Sequence, residues 1–235
     1  MALPKLNIPT YELELPSTGD KIKYRPFLVK EQKILMMAQE SGEDEQIANV
    51  MSTLVSECTF GSVDANNAPM FDVEYIFLKV RGKSAGETIE LNVLCPDDET
   101  TRVPYSLNLD DVLVQVDDKH TNEISINLNV KIVFRYPILA DMKNMISITT
   151  NVEMMYELLV LCVQEIHDGD DVFQRIDMTD KEIEEFIDSL TTDQFKNVTK
   201  FFETMPKLRH TIEVTNPNTN VKSEVMLEGL QSFLE

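Results

Sequence analysis

The first part of the chain alternates between strand-like and helix-like spacing of apolar residues. Residues 10–27, TYELELPSTGDKIKYRPF, place two short alternating runs around a Pro-Ser-Thr-Gly-Asp turn, which predicts a β-hairpin. Three segments that follow, at 28–40, 43–58 and 71–82, predict helices. The first and third carry apolar residues at helical spacing, and the second opens on acidic residues at the favourable end of the helix dipole.

From residue 87 to 136 the spacing of apolar residues changes to that of strands. The segments TIELNVLC, TRVPYSLNL and ISINLNVKIVFRY are separated by Pro- and Asp-containing turns. The last of them predicts one long strand, with Ile124, Ile126, Leu128, Val130 and Ile132 on a single face.

After Pro137 the pattern predicts helices again. Residues 151–166 are strongly apolar on one side, and Thr179 with Glu182 forms a capping-box pattern ahead of a helix to about residue 190. A last helix is predicted at about 192–204, and residues 208–226 predict a hairpin around Asn216-Pro217-Asn218. The ending LEGLQSFLE is a short amphipathic piece, with apolar residues on roughly one helical stripe: Leu227, Leu230, Phe233 and Leu234. We expect it to be docked, either on its own domain or on a partner that Leu227, Leu230 and Phe233 would contact.

These patterns predict an α+β fold, with an N-terminal β-hairpin and helices, a central antiparallel β-sheet, an acidic helical region and a C-terminal β-hairpin. The corresponding regions are residues 1–86, 87–137, 138–206 and 207–235. An alternative prediction is that these four regions together form one compact domain. The chain shows no internal sequence repeat of useful period.

The formal net charge of −20 limits the partners of this chain. Such a charge repels nucleic-acid phosphates and anionic membrane surfaces, and it favours solubility and basic protein partners. Residues 151–190 hold twelve acidic residues and only Arg175 and Lys181 as bases. We expect this stretch either to serve solubility alone or to bind a partner through four acidic residues: Glu182, Glu184, Glu185 and Asp188.

Motifs that could indicate catalysis or ligand binding lack the residue spacing that those functions require. Gly82-Lys83-Ser84 matches the end of a phosphate-binding loop, but the position that needs an earlier glycine is Phe77. His167 is followed by acidic residues without the register of a calcium loop, so a solvated turn is the better interpretation. No nucleophile elbow is present. We therefore predict no enzyme, no cofactor and no small-molecule substrate.

The three cysteines are sparse and widely spaced, which fits a reducing cytosol. Cys58 and Cys162 lie on apolar helical faces and are expected to be buried structural thiols. Cys95 precedes Pro96 in a turn that resembles a zinc knuckle, yet positions 97–99 are Asp, Asp and Glu, and the second turn at 215–220 has neither Cys nor His. One thiolate cannot hold structural zinc, so we predict no metal site.

Three stretches together resemble the baseplate hub subunit and hub assembly protein family of T-even-type contractile-tailed bacteriophages. They are LPKLNIPTYELELPSTGDKIKYRPFLVKEQKILMMA at 3–38, DVEYIFLKVRGKSAGETIEL at 72–91 and VMLEGLQSFLE at 225–235. The segment VKIVFRYP at 130–137 is similar too, so the resemblance spans the chain. Some members of the family carry Cys pairs at the turns near 95 and 217, and this sequence keeps only Cys95.

The resemblance implies a non-enzymatic component of the tail baseplate hub that binds other hub and tape-measure proteins. It implies assembly in the host cytoplasm and a place in the virion tail. A transient tail-assembly chaperone, absent from the mature virion, is the alternative that the sequence leaves open.

Overall fold

All strand pairs in the described part of the chain are antiparallel, and they stand beside seven α-helices. The computed structural model describes residues 7–146, 148 and 150–233. The predicted α+β class, with its N-terminal hairpin and C-terminal strands, is confirmed. Two compact units form: the described residues up to Gln115 together with those from Lys207 onward, and the residues Val116–Pro206. The division into four regions stays a prediction.

The first unit combines three helices with strands from both ends of the chain. Its elements are β1 (Tyr11–Glu14), β2 (Lys21–Tyr24), α1 (Val29–Ser41), α2 (Asp44–Cys58), α3 (Met70–Ala85), β3 (Thr88–Leu94), β4 (Arg102–Asn108), β5 (Leu113–Gln115), β10 (Lys207–Thr215) and β11 (Lys222–Glu228). Strands β1–β2 and β3–β4 form hairpins, and β5 joins the β10–β11 hairpin as a third strand.

Helix α3 forms the centre of the first unit. Its buried side chains include Val73, Ile76 and Leu78, so apolar contacts surround most of the helix. The ammonium group of Lys79 is also buried, and it donates hydrogen bonds to the carbonyl oxygens of Leu109 at 3.0 Å and Val112 at 3.3 Å. These bonds tie the chain that follows β4 to the central helix.

The second unit packs four helices on a four-stranded sheet of order β6-β7-β8-β9. Its elements are β6 (Glu123–Ser125), β7 (Val130–Phe134), α4 (Leu139–Asn144), α5 (Asn151–Cys162), β8 (Val163–Asp168), β9 (Asp171–Gln174), α6 (Asp180–Asp188) and α7 (Thr192–Thr204). The core joins β7, α5, α6 and α7 through Phe134, Leu159, Ile183 and Phe201.

Three predictions for residues 87–166 are corrected. The single strand predicted at 124–132 is the β6–β7 hairpin, because the Asn127 side chain accepts hydrogen bonds from the N–H groups of Asn129 and Val130 and closes a turn. Leu128 at the tip is fully exposed. The helix predicted to 166 ends at Cys162, since Ile166 pairs with Ile132 in the sheet. The strands between 87 and 137 accordingly belong to three sheets rather than one.

Each unit joins a β-hairpin to a helix through an Arg–carboxylate pair. Arg25 Nη2 lies 2.9 Å from Glu31 Oε1, and the N–H of Arg25 donates to the carbonyl of Cys58. In the second unit Arg135 binds both carboxylate oxygens of Asp141, at 2.6 and 2.9 Å, and its N–H donates to the carbonyl of Cys162. In both units the carboxylate also accepts a hydrogen bond from the N–H that precedes the helix.

Candidate protein-docking surfaces

Helix α6 carries the four acidic residues predicted to bind a partner, and one of them caps the helix. The Thr179 hydroxyl accepts a hydrogen bond from the N–H of Glu182, and the Glu182 carboxylate accepts one from the N–H of Thr179 at 2.8 Å. The predicted capping box is therefore confirmed. The N–H and the hydroxyl of Thr179 both donate to the Glu182 carboxylate, and these hydrogen bonds lower the pKa of Glu182. A substitution at Glu182 would weaken the helix itself as well as any partner contact.

The other three residues, Glu184, Glu185 and Asp188, are exposed. Ile183 and Ile187 of the same helix are buried, so α6 is amphipathic. Lys181 Nζ lies 3.5 Å from Glu185 Oε1 in an exposed pair, which contributes little to stability. These exposed carboxylates can therefore contact a partner with little loss of folding stability.

A groove of about 320 Å³ is formed by residues of α5 and α6. Its apolar lining consists of Ile148, Tyr156, Val160 and Ile187, and its acidic lining consists of Glu153, Glu157, Glu184 and Asp188. The Tyr156 ring stacks on Phe195 with ring centroids 5.1 Å apart, which orients it. The groove thus combines an apolar surface with carboxylates from both helices. Glu184 and Asp188 were predicted to bind a partner, but neither the groove nor its α5 side was predicted, because only the packing of the two helices reveals them.

A second apolar surface lies on α1. Met36 and Met37 are 54% and 59% exposed, and Val29 and Ile34 are exposed beside them. Among the helix residues only Glu31 and Ala38 are buried. Methionine side chains adapt to irregular apolar surfaces, so this face suits a partner with an apolar segment.

The C-terminal segment docks on its own unit. Leu230 is 5% exposed and Phe233 is 0% exposed, within a short 3-10 turn at Leu230–Phe233 rather than a helix. The N–H of Leu230 donates to Glu74 Oε1 at 3.2 Å. Burial raises the pKa of Glu74 despite this bond. Leu227 is half-buried at the end of β11, and Leu234 lies outside the described residues. The burial of Leu230 and Phe233 agrees with docking on the chain's own domain, and partner contacts by Leu227, Leu230 and Phe233 stay a prediction.

The residues considered for chemistry are dispersed. Cys58 and Cys162 are buried, and burial raises their pKa to about 11 and about 12, which leaves both as unreactive thiols. His167 lies at the end of β8, and its Nε2 is 2.7 Å from Glu165 Oε2. Across residues 7–146, 148 and 150–233, no group of three or more His, Cys, Asp or Glu side chains is arranged to hold a metal ion. Within the same residues no helix has the length and apolarity to cross a membrane.

An α+β scaffold with an acidic groove and an exposed apolar helix face is typical of a protein of the structural and interaction class. The comparison with known proteins agrees: the chain belongs to the family of T4 bacteriophage base plate proteins, whose model matches residues 8–235. It is also similar to the baseplate hub assembly protein gp26 of Enterobacteria phage T4, with 23% identity over 228 residues, covering 96% of this chain and 98% of that protein. No solved structure matches the chain. The chain is thus a structural protein of a phage tail baseplate.

Proposed function

We propose that this chain is a structural or assembly component of the baseplate hub that binds other hub and tape-measure proteins and catalyses no reaction. The observation that carries the proposal is the groove between α5 and α6, where carboxylates stand on both sides of an apolar surface. The similarity to a hub assembly protein supports the hub, in particular, as the place of action. Assembly in the host cytoplasm belongs to the same proposal.

The chemistry of the groove defines the segment that it would bind. An apolar side chain of the partner would cover Tyr156 and Val160, and basic side chains beside it would meet Glu184 and Asp188. Opposite charges that are exposed at the surface attract each other through a high effective dielectric. They therefore contribute more to the orientation of the partner and to the association rate than to affinity. A basic amphipathic segment of a hub protein is the expected occupant.

Charge reversal on α6 tests this role with a matched control. Glu184→Lys with Asp188→Lys changes two groove residues on one helical face, whereas Asp170→Lys with Glu203→Lys makes the same charge change at exposed positions that do not line the groove. Glu182 is left intact because it caps α6. Each variant is tagged, expressed in infected cells and recovered with its bound tail proteins.

We expect the groove variant to lose hub proteins while the control variant keeps them, with both proteins melting like the parent. Equal recovery of hub proteins by both variants and the parent would show that the acidity serves solubility alone. Equal loss from both variants would show that overall charge, rather than the groove, governs binding.

A transient tail-assembly chaperone is the second candidate, and the exposed face of α1 favours it. Met36 and Met37 offer an adaptable surface that would shield an apolar segment of an unassembled partner. A chaperone leaves before maturation, whereas a hub subunit stays. Protein composition of purified infectious tails separates the two: this chain at a fixed ratio to other hub proteins supports the subunit, and its absence supports the chaperone.

A further inference from the structure

Two turns of the first unit have matching backbone geometry. In the turn between β3 and β4, the N–H of Glu99 donates to the carbonyl of Cys95 at 3.0 Å, and Glu99 has a φ of 53°. In the turn between β10 and β11, the N–H of Asn220 donates to the carbonyl of Asn216 at 2.8 Å, and Asn220 has a φ of 59°. A proline follows the first residue in each turn. The turns therefore correspond over positions 95–99 and 216–220. Beyond these positions they differ by one residue, because the N–H of Cys95 donates to the carbonyl of Thr101 and that of Asn216 to the carbonyl of Val221.

Side chains of the two turns bind each other directly. Asn216 Nδ2 donates to both carboxylate oxygens of Asp97, at 3.0 and 3.1 Å, and the Thr219 hydroxyl donates to the same carboxylate. Asn218 Nδ2 donates to Thr101 Oγ1 at 2.9 Å. Asn216 is fully buried. These bonds connect two hairpins that are far apart in the sequence.

The first and fourth positions of such turns have the Cys-x-x-Cys spacing of four-cysteine zinc sites. Here these positions are held by Cys95 and Asp98 in one turn and by Asn216 and Thr219 in the other. The donor set does not fit a structural zinc site, because it offers a single thiol beside a carboxylate, an amide and a hydroxyl. Burial and the neighbouring aspartates raise the pKa of Cys95, which disfavours its thiolate further. The Asp98 carboxylate is already bonded to Thr101.

We infer that the hydrogen bonds of Asp97 with Asn216 and Thr219 form a metal-free clasp, on a backbone that would accept a four-cysteine zinc site. The clasp connects the β3–β4 hairpin to the C-terminal β10–β11 hairpin, and so closes the first unit. This role needs no partner protein and stands independently of the proposed hub function.

Introducing cysteines at these positions tests whether the backbone has this geometry. The variant carries Asp98→Cys, Asn216→Cys and Thr219→Cys beside the native Cys95. A register control carries Asp97→Cys, Asn216→Cys and Asn218→Cys, which supplies as many thiols at the wrong spacing. We expect the first variant to bind about one zinc per chain by elemental analysis. We also expect a chelator to lower its Tm, while the Tm of the parent stays unchanged. A first variant that takes up no more zinc than the control, or stays unfolded with zinc present, overturns the backbone correspondence.

A double-mutant cycle on the natural side chains tests the clasp without any metal. Asp97→Ala and Asn216→Ala are compared, singly and together, by thermal unfolding. If the two side chains act as one clasp, the double variant loses clearly less Tm than the sum of the single losses. Additive losses, or single variants that melt like the parent, would overturn the clasp.

Discussion

Removing the Phe233 side chain tests whether the C-terminal segment is part of the core. Phe233 is fully buried, and a Phe→Ala change in a packed core costs about 3–5 kcal/mol. Near the chain end the segment can instead undock, and the loss is then the burial of Leu230 and Phe233, about 1.5–3 kcal/mol for each side chain. Both routes predict a loss of at least about 3 kcal/mol, which corresponds to a fall in Tm of about 6 °C or more.

Thermal unfolding followed by circular dichroism measures this loss, and Met226→Ala provides the control. Met226 lies on β11 close to the segment but is 59% exposed, so its truncation should leave Tm nearly unchanged. A Phe233→Ala protein that melts like the Met226→Ala protein would refute the packing argument. If such a protein also failed to assemble hubs, the segment would instead act by docking on a partner.

Three further predictions concern charge and metal. Burial alone would raise the pKa of Glu31, but hydrogen bonds from Arg25 and the Leu28 N–H lower it. The stability from this ion pair is therefore complete above the unfolded pKa of about 4.3 and is lost as the pH falls below it. Glu31→Gln should lower the unfolding free energy at neutral pH and make its dependence on acid pH shallower. An unchanged acid dependence contradicts this prediction. Binding of hub proteins should weaken between low and high salt if the α5–α6 groove is the docking surface, and salt-independent recovery would contradict it. The purified parent protein should contain no stoichiometric zinc, and elemental analysis that finds one zinc per chain would overturn this expectation.

Sequence patterns within short segments predicted the structural elements that short-range interactions determine. The capping box at Thr179 and Glu182, the helix over Thr192–Thr204 and the hairpin around Asn216 all depend on residues within a few positions of one another. Each of these was confirmed, because capping hydrogen bonds and turn chemistry act over one turn of chain.

One local turn was missed, and so were the features that depend on distant contacts. The apolar run at 124–132 fits a single strand by periodicity, and only the Asn127 side chain marks the turn inside it. Strand β8 follows α5 without a break, so its apolar residues continued the helical pattern although Ile166 pairs with β7. The acidic groove needs α5 and α6 side by side, which no spacing within either helix can indicate.

The Arg–carboxylate pair that occurs once within each unit was not predicted from the sequence, for a different reason. Arginine and acid are six residues apart in both units, but the acid is Glu31 in one and Asp141 in the other, and the following cysteine lies at a different distance. What recurs is a chemical requirement: one carboxylate binds a guanidinium and also the N–H ahead of the helix. In both pairs the carboxylate is buried, and leaving a buried carboxylate without its partner is strongly destabilising. The same hydrogen-bond arrangement therefore occurs in both units although the chain shows no internal sequence repeat.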